Sequence, residues 1–332
     1  MLVRTEDAGR DAYRTLDPPV WLHSMRHRLL GYHDTGEPGP AMLIIACLHG
    51  NEISGGDATM RVLHTLRRGT SPFRGSLTAV IGNVPAYEAR LRLIDEDLNR
   101  IWTRENVDAI LANGPRSVEQ KQLFELRTIL DTLGASTGPD QRYLLDLHTT
   151  SAASAPFIAH AGNGRARDIV RNIGAIEVRK VTDYLDGMLV KHTSELGWAS
   201  LAFEAGSHLQ ADSVDIHETS IWQALSTAGM IEWDRIPLRV RARNAETQPA
   251  SETNPPVEVI HHHVIETGDN FHMRPGFANF QPINAGEVLA EDRNGPITST
   301  VSGRIFLPLY QNEGRDGFFI VRDVGVNGQD EA

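Results

Sequence analysis

Three short runs place metal-ligating or acid–base side chains at the end of an apolar segment. These are His49-Gly50-Asn51-Glu52 after MLIIACL (42–48), Asp146-Leu147-His148 closing RYLLDLH (142–148), and Phe203-Glu204-Ala205-Gly206 closing SLAFEAG (200–206). A catalytic zinc usually takes three protein ligands from His and carboxylate side chains and keeps a further position for water. His49, Glu52 and His148 make such a set, two imidazoles and one carboxylate. On a strand Asp146 faces the same side as His148, where it would orient a ligand imidazole. His-x-x-Glu alone says little, because it also occurs at His192/Glu195 and His263/Glu266. The last pair falls in a strand-like run, where residues three apart face opposite sides. His192/Glu195 has no strand directly before it. Gly50 supplies a backbone free to turn sharply between His49 and Glu52. The plain alternative is that His49 and His148 are ordinary buried histidines.

Two further features bear on chemistry. Asp97-Leu98-Asn99-Arg100, with Arg92 before it, offers two guanidiniums and an amide near the first ligand loop, a set suited to holding a carboxylate in fork geometry. The alternative is a solvated charged loop. Glu204 ends an apolar strand, where partial burial raises a carboxyl pKa toward the range of a general base. The alternative is a buried Glu paired with an arginine. His261-His262-His263 offers a second metal set, but alternate strand residues point to opposite faces, so it reads as a strand segment.

Strand ends become a site only if the strands lie side by side, since open α/β sheets bind ligands beyond the carboxyl ends of their strands. The apolar runs at 42–48, 77–84, 142–148, 156–160, 175–181 and 200–206 read as strands. Patterns at 57–68, 117–133, 165–173 and 213–228 read as helices, the second capped by Ser117 with Gln120 and stopped by Gly134. This alternation predicts an α/β domain over 1–242 with a mainly parallel sheet. RNAETQPASETNPP (243–256) reads as a linker or loop, and short β-type runs over 257–332 predict a small all-β domain.

Of the 332 residues 40% are hydrophobic and 23% charged, which fits a globular chain of about two domains and not a disordered one. A net charge of −11 and the lack of a basic run argue against nucleic-acid binding. No apolar stretch is long enough for a membrane helix, and the first residues lack the apolar core of a signal peptide. Cys47 is the single cysteine, so no internal disulfide is available and a reducing cytoplasm is the expected compartment.

Taken in order, HGNE, DLNR, DLHTT and FEAG resemble the motifs of the succinylglutamate desuccinylase/aspartoacylase family of zinc-dependent deacylases. GFANFQPINAGEVLAED and GRIFLPLYQNEGRDGFFIV resemble that family's β-domain. The resemblance implies a zinc-carboxypeptidase-like α/β/α sandwich with a C-terminal all-β domain that helps cover the active site. It implies one zinc per chain on His49, Glu52 and His148, with Glu204 as general base. Asn99 and Arg100 would contact a substrate carboxylate, and Arg92 would polarise the scissile carbonyl. Tyr310, in LPLY, would be a lid residue reaching the substrate. One departure matters. Aspartoacylase proper has an arginine shortly before the base for the side-chain carboxylate of N-acetylaspartate, whereas this chain reads Lys191-His192-Thr193-Ser194-Glu195. The expected function is therefore zinc-dependent hydrolysis of the linear amide of an N-acyl amino acid or similar small carboxylate, without aspartate specificity. The alternatives are a metallocarboxypeptidase acting on peptides and a metal-binding protein without turnover.

Overall fold

The apolar runs become neighbouring strands of one sheet. The computed structural model describes residues 16–69, 72–162, 164–247, 255–311 and 314–324. Its larger strands are β1 (Leu29–Asp34), β2 (Glu37–Ala46), β3 (Arg74–Ile81), β4 (Arg142–Thr150), β5 (Phe157–His160), β6 (Ile176–Arg179), β7 (Ala199–Ser207) and β8 (Val257–Val264). Then come β9 (His272–Met273), β10 (Pro282–Ile283), β11 (Val288–Asp292), β12 (Gly295–Thr298), β13 (Gly303–Phe306) and β14 (Asp316–Asp323). Among the described residues one sheet runs β1-β3-β2-β4-β7-β5-β6-β8-β14-β13-β10, and a smaller one runs β12-β11-β9.

The centre of the large sheet, β3-β2-β4-β7, is parallel. Helices cover it on both faces, which is why its strands read as continuous apolar runs. The strand period sorts β2 between two cores: Met42 and Ile44 enter one, Leu43 and Ile45 the other. The first core lies under the helices Ser54–Arg68, Gly164–Ile173 and Ser213–Thr227, through side chains such as Leu63, Ile169 and Trp222. The second lies under Val118–Ser136, through Leu123, Leu126 and Leu130. This is the expected layered α/β arrangement, and from 257 to 324 the described residues form strands and loops without a helix.

Several local expectations are corrected. The helix beginning at Val118 runs past Gly134 to Ser136. Ser117 caps it by accepting from Gln120 N at 3.1 Å, but the Gln120 side chain accepts from Arg116 N at 2.9 Å, one residue earlier than a closed capping box requires. A helix, Leu238–Thr247, occupies the start of the expected 243–256 loop, and 248–254 lie outside the described residues. The C-terminal strands also continue the large sheet, because β8 pairs in parallel with β6 at Val178↔Val257 and Arg179↔Glu258.

Candidate functional site

The carboxyl ends of β2, β4 and β7 converge on one pocket. Three residues beyond β2, His49 turns toward Glu52, and the helix Ser54–Arg68 follows. The left-handed residue of this turn is Cys47 (φ 56°), not Gly50. Gly50 is needed for a different reason: a Cβ there would stand 2.0 Å from the backbone carbon of Ala86, far inside contact distance.

Glu52 is the hub. Its Oε1 lies 2.9 Å from His49 Nδ1, and its Oε2 lies 2.9 Å from His148 Nδ1 and accepts from Thr149 N at 3.1 Å. All three residues are buried. One donor atom from each falls within 4.8 Å of the others, a three-residue group able to hold a metal ion. Two imidazole Nδ1 atoms turned toward one buried carboxylate fit a divalent cation of the zinc type. The far side of each ring meets a second carboxylate. Asp146 Oδ2 lies 2.8 Å from His148 Nε2, and Asp97 Oδ1 lies 3.1 Å from His49 Nε2. Burial alone would raise the Glu52 pKa, but the two histidines outweigh it and hold the carboxyl well below its usual value. Burial alone would lower His148, but Asp146 and Glu52 hold it well above.

Arg92 and Asp97 belong to a loop held from beneath. The buried carboxylate of Glu119, in the first turn of the helix Val118–Ser136, accepts from Ile94 N, Asp95 N and Glu96 N at 2.7, 3.0 and 3.2 Å. Asp97 in turn accepts from Asn99 N at 2.8 Å and from Arg92 Nη2 at 2.9 Å. Arg92 Nη1 reaches Glu52 Oε1 at 3.5 Å. Both Arg92 and Asp97 line the pocket.

Glu204 stands on β7 directly across the register from His148 on β4. It lines the pocket, and its Oε2 is shielded from solvent and has no hydrogen-bond partner. Desolvation, against the pull of His148, pushes its pKa up to about 8. Among the described residues Glu204 makes no ion pair with an arginine, although the charge of Arg92 also pulls its pKa down.

The remaining candidates fall differently. Asn99 lines the pocket, but its Oδ1 accepts from Leu189 N at 2.9 Å. Arg100 also lines it, and its fork is occupied: Nε and Nη2 donate to Asp316 Oδ2 at 3.2 and 2.7 Å, and Nη1 donates to Asn99 O at 2.8 Å. Tyr310 is turned elsewhere. Its hydroxyl donates to Arg274 O at 2.8 Å and accepts from Phe277 N at 2.9 Å, while its neighbours Leu309 and Gln311 reach the pocket. In this arrangement the hydroxyl is engaged by the 274–277 turn and does not line the pocket where Tyr310 was expected to meet a substrate.

Lys191 and His192 do not face the pocket either. Lys191 Nζ bonds Thr182 O at 3.1 Å, and His192 is buried against Trp102. Among the described residues the β8 histidines form no metal-ligating group: His262 Nε2 lies 2.9 Å from Asp316 Oδ1, while His263 stacks on Phe318 and Phe271.

Three pocket residues escaped sequence reasoning. Asp97 stood inside a motif already singled out, and only its partner His49 was hidden. Asp316, 216 residues from Arg100, carried no local signal. His208 bonds Thr149 Oγ1 through Nδ1 at 2.7 Å and leaves Nε2 unpartnered beside the pocket. Among the described residues no helix is long and apolar enough to cross a membrane.

A family model described as the succinylglutamate desuccinylase/aspartoacylase catalytic domain matches residues 38–226. A curated succinylglutamate desuccinylase of Burkholderia orbicola is 28% identical over 146 residues, which take in 42% of this chain and 41% of that protein. The alignment thus spans about two fifths of that relative's length. The crystal structure of a succinylglutamate desuccinylase from Vibrio parahaemolyticus superposes with a TM-score of 0.63 at 16% identity, covering 89% of this chain and 84% of that one. That of murine aminoacylase 3 superposes with a TM-score of 0.59 at 18% identity, covering 87% and 96%.

Proposed function

The chain belongs to the succinylglutamate desuccinylase/aspartoacylase family, and on that premise we propose that it is a zinc-dependent deacylase that hydrolyses the amide bond of an N-acyl amino acid or a similar small molecule. The observation that carries this reading is the pairing of a three-donor set, His49 Nδ1, Glu52 and His148 Nδ1, with an unpartnered carboxylate oxygen of Glu204 in the same pocket. Those three residues would hold the zinc. When bound, zinc supplies a Lewis acid that lowers the pKa of water toward about 7 and polarises a carbonyl.

The chain's own residues do the rest. Asp97 bonds the far side of the His49 ring, and the charge of Asp146 stands against the far side of the His148 ring, leaving both Nδ1 atoms toward Glu52. Glu204 takes a proton from the attacking water at Oε2 and later returns it to the leaving amine. A carboxyl whose pKa burial raises from its usual value toward neutrality suits both transfers. Arg92, fixed by Asp97, is a donor for negative charge developing on the carbonyl oxygen. Asn99 and Arg100 line the side where a substrate carboxylate would sit.

The metallocarboxypeptidase alternative fares worse on one observation. Leu307, Leu309, Gln311, Gly314 and Asp316, all from the C-terminal region, line the same pocket, so a long peptide would have to displace them. The deciding experiment is metal analysis of tag-free protein, followed by turnover of N-acyl amino acids and of peptides. About one zinc per chain with hydrolysis of N-acyl amino acids is expected. Faster release of C-terminal residues from peptides would overturn the reading, as would a metal-bound protein inert toward every N-acyl compound.

A further inference from the structure

Both guanidiniums of the pocket are committed to carboxylates of the chain itself. Arg92 is paired with Asp97, and Arg100 with Asp316. Among the described residues no lysine lines the pocket. Asp316 is the first residue of β14, and its other oxygen lies 2.9 Å from His262 Nε2 on the neighbouring strand β8. His262 is fixed by stacking on Phe319, with ring centroids 4.2 Å apart and planes 11° from parallel. Asp316 is therefore built in, held from two sides, with about a fifth (22%) of its side chain accessible. It takes the Nε/Nη2 edge of Arg100, the edge that would otherwise receive a carboxylate through two parallel bonds.

Among the described residues the lining carries four carboxyl groups, Glu52, Asp97, Glu204 and Asp316, against two guanidiniums, Arg92 and Arg100. Part of the lining is apolar: Phe157, Val181, Leu185, Met188, Phe306 and Phe319 line the pocket and belong to one buried cluster that joins the α/β part to the C-terminal strands.

We propose that Asp316 sets the charge of the substrate: by filling the Arg100 fork it makes the pocket select N-acyl compounds with an apolar substituent and at most one carboxylate, over N-acyl dicarboxylates. This rests on the deacylase reading above. A single substrate carboxylate meets Arg100 beside the like charge of Asp316 and uses only the N–H bonds left over. Among the described residues a second or third carboxylate finds no uncommitted cationic side chain in the lining. The apolar part of the lining favours a branched or aromatic group through its removal from water.

The test uses zinc-loaded wild type, Asp316→Asn and Asp316→Ser, with melting temperature as the check on folding. kcat/KM is measured for N-acetylleucine, N-acetylleucinamide, N-acetylaspartate and N-succinylglutamate. Wild type is expected to favour N-acetylleucine over N-acetylaspartate by about tenfold or more, the share of one charge-assisted hydrogen bond. Both variants should raise kcat/KM for N-acetylaspartate, a dicarboxylate, and N-succinylglutamate, a tricarboxylate, by about tenfold relative to N-acetylleucinamide, mainly through KM. A wild type that prefers N-acetylaspartate overturns the inference, as do folded variants with the wild-type selectivity. Calorimetric Kd values for the same compounds separate the two readings. If N-acetylleucine binds tighter than N-acetylaspartate but nothing is hydrolysed, the deacylase reading falls and the role of Asp316 stands. If none of the four binds, both fall.

Discussion

His49 Nε2 lies 3.1 Å from Asp97 Oδ1, and the other oxygen of that carboxylate holds Arg92 at 2.9 Å. Asp97 thus ties a metal-ligand candidate to the guanidinium proposed to meet the substrate carbonyl. Its own carboxyl is held well below the usual range, because His49 and Arg92 outweigh the cost of burial. Asp97→Asn keeps the shape and removes the charge. Zinc affinity should fall by roughly 10–100-fold, the usual cost of losing such a supporting carboxylate, and competition with a chelator measures it. Unchanged affinity together with unchanged kcat would reduce Asp97 to a loop cap.

Glu204 and His148 face each other across β7 and β4, yet they are expected to fail in different ways when replaced. Glu204→Gln should retain the metal and lose about 10²–10⁴-fold in kcat, the share of a general base. His148→Ala should lose the metal. Elemental analysis beside kcat separates the two, and metal loss in Glu204→Gln would move that residue among the ligands.

Gly50 packs against the backbone of Ala86 and Tyr87, so its replacement tests the turn that aims His49 at Glu52. Gly50→Ala places a methyl group where backbone atoms already stand. A stability loss of roughly 1–3 kcal/mol is expected from such overpacking, with weaker zinc binding. Urea denaturation reads the first and chelator competition the second. A variant as stable as wild type, with full metal affinity, would show that the turn yields without cost.

Glu177, away from the pocket, gives a pH signature of folding. Burial alone would raise its pKa, but His160 at 2.9 Å and Arg179 at 3.0 Å bring it down from 4.5 to about 2. A carboxyl depressed by folding stabilises the native state above its unfolded value, and that contribution fades as pH falls through the folded one. Wild type should therefore lose up to about 1–3 kcal/mol between roughly pH 4.5 and pH 2 through this group. Glu177→Gln should be less stable at pH 7 and show a flatter dependence in that window. Parallel curves for the two proteins in denaturant titrations would show that Glu177 carries no such linkage.

The parallel core was legible in the sequence because β2, β4 and β7 are covered on both faces, and such strands must be apolar almost throughout. Their polar ends then stood out as the places where a site could lie. His49, Glu52, His148 and Glu204 could be named for that reason: each sits within a residue or a few of a strand end, and their types suit one chemistry. Asp146 was legible too, since a period of two places it on the same face as His148.

What only the tertiary structure decided depends on contacts between segments far apart in the chain. Whether Arg100 is free to clamp a carboxylate depends on Asp316, which reaches it from a strand 216 residues later. Whether Tyr310 reaches the pocket depends on the 274–277 turn that captures its hydroxyl. Local pattern reports burial and strand ends, because these follow from a residue's immediate neighbours. Partners of charged side chains follow from how distant strands align, and here that alignment filled the carboxylate fork with one of the chain's own aspartates.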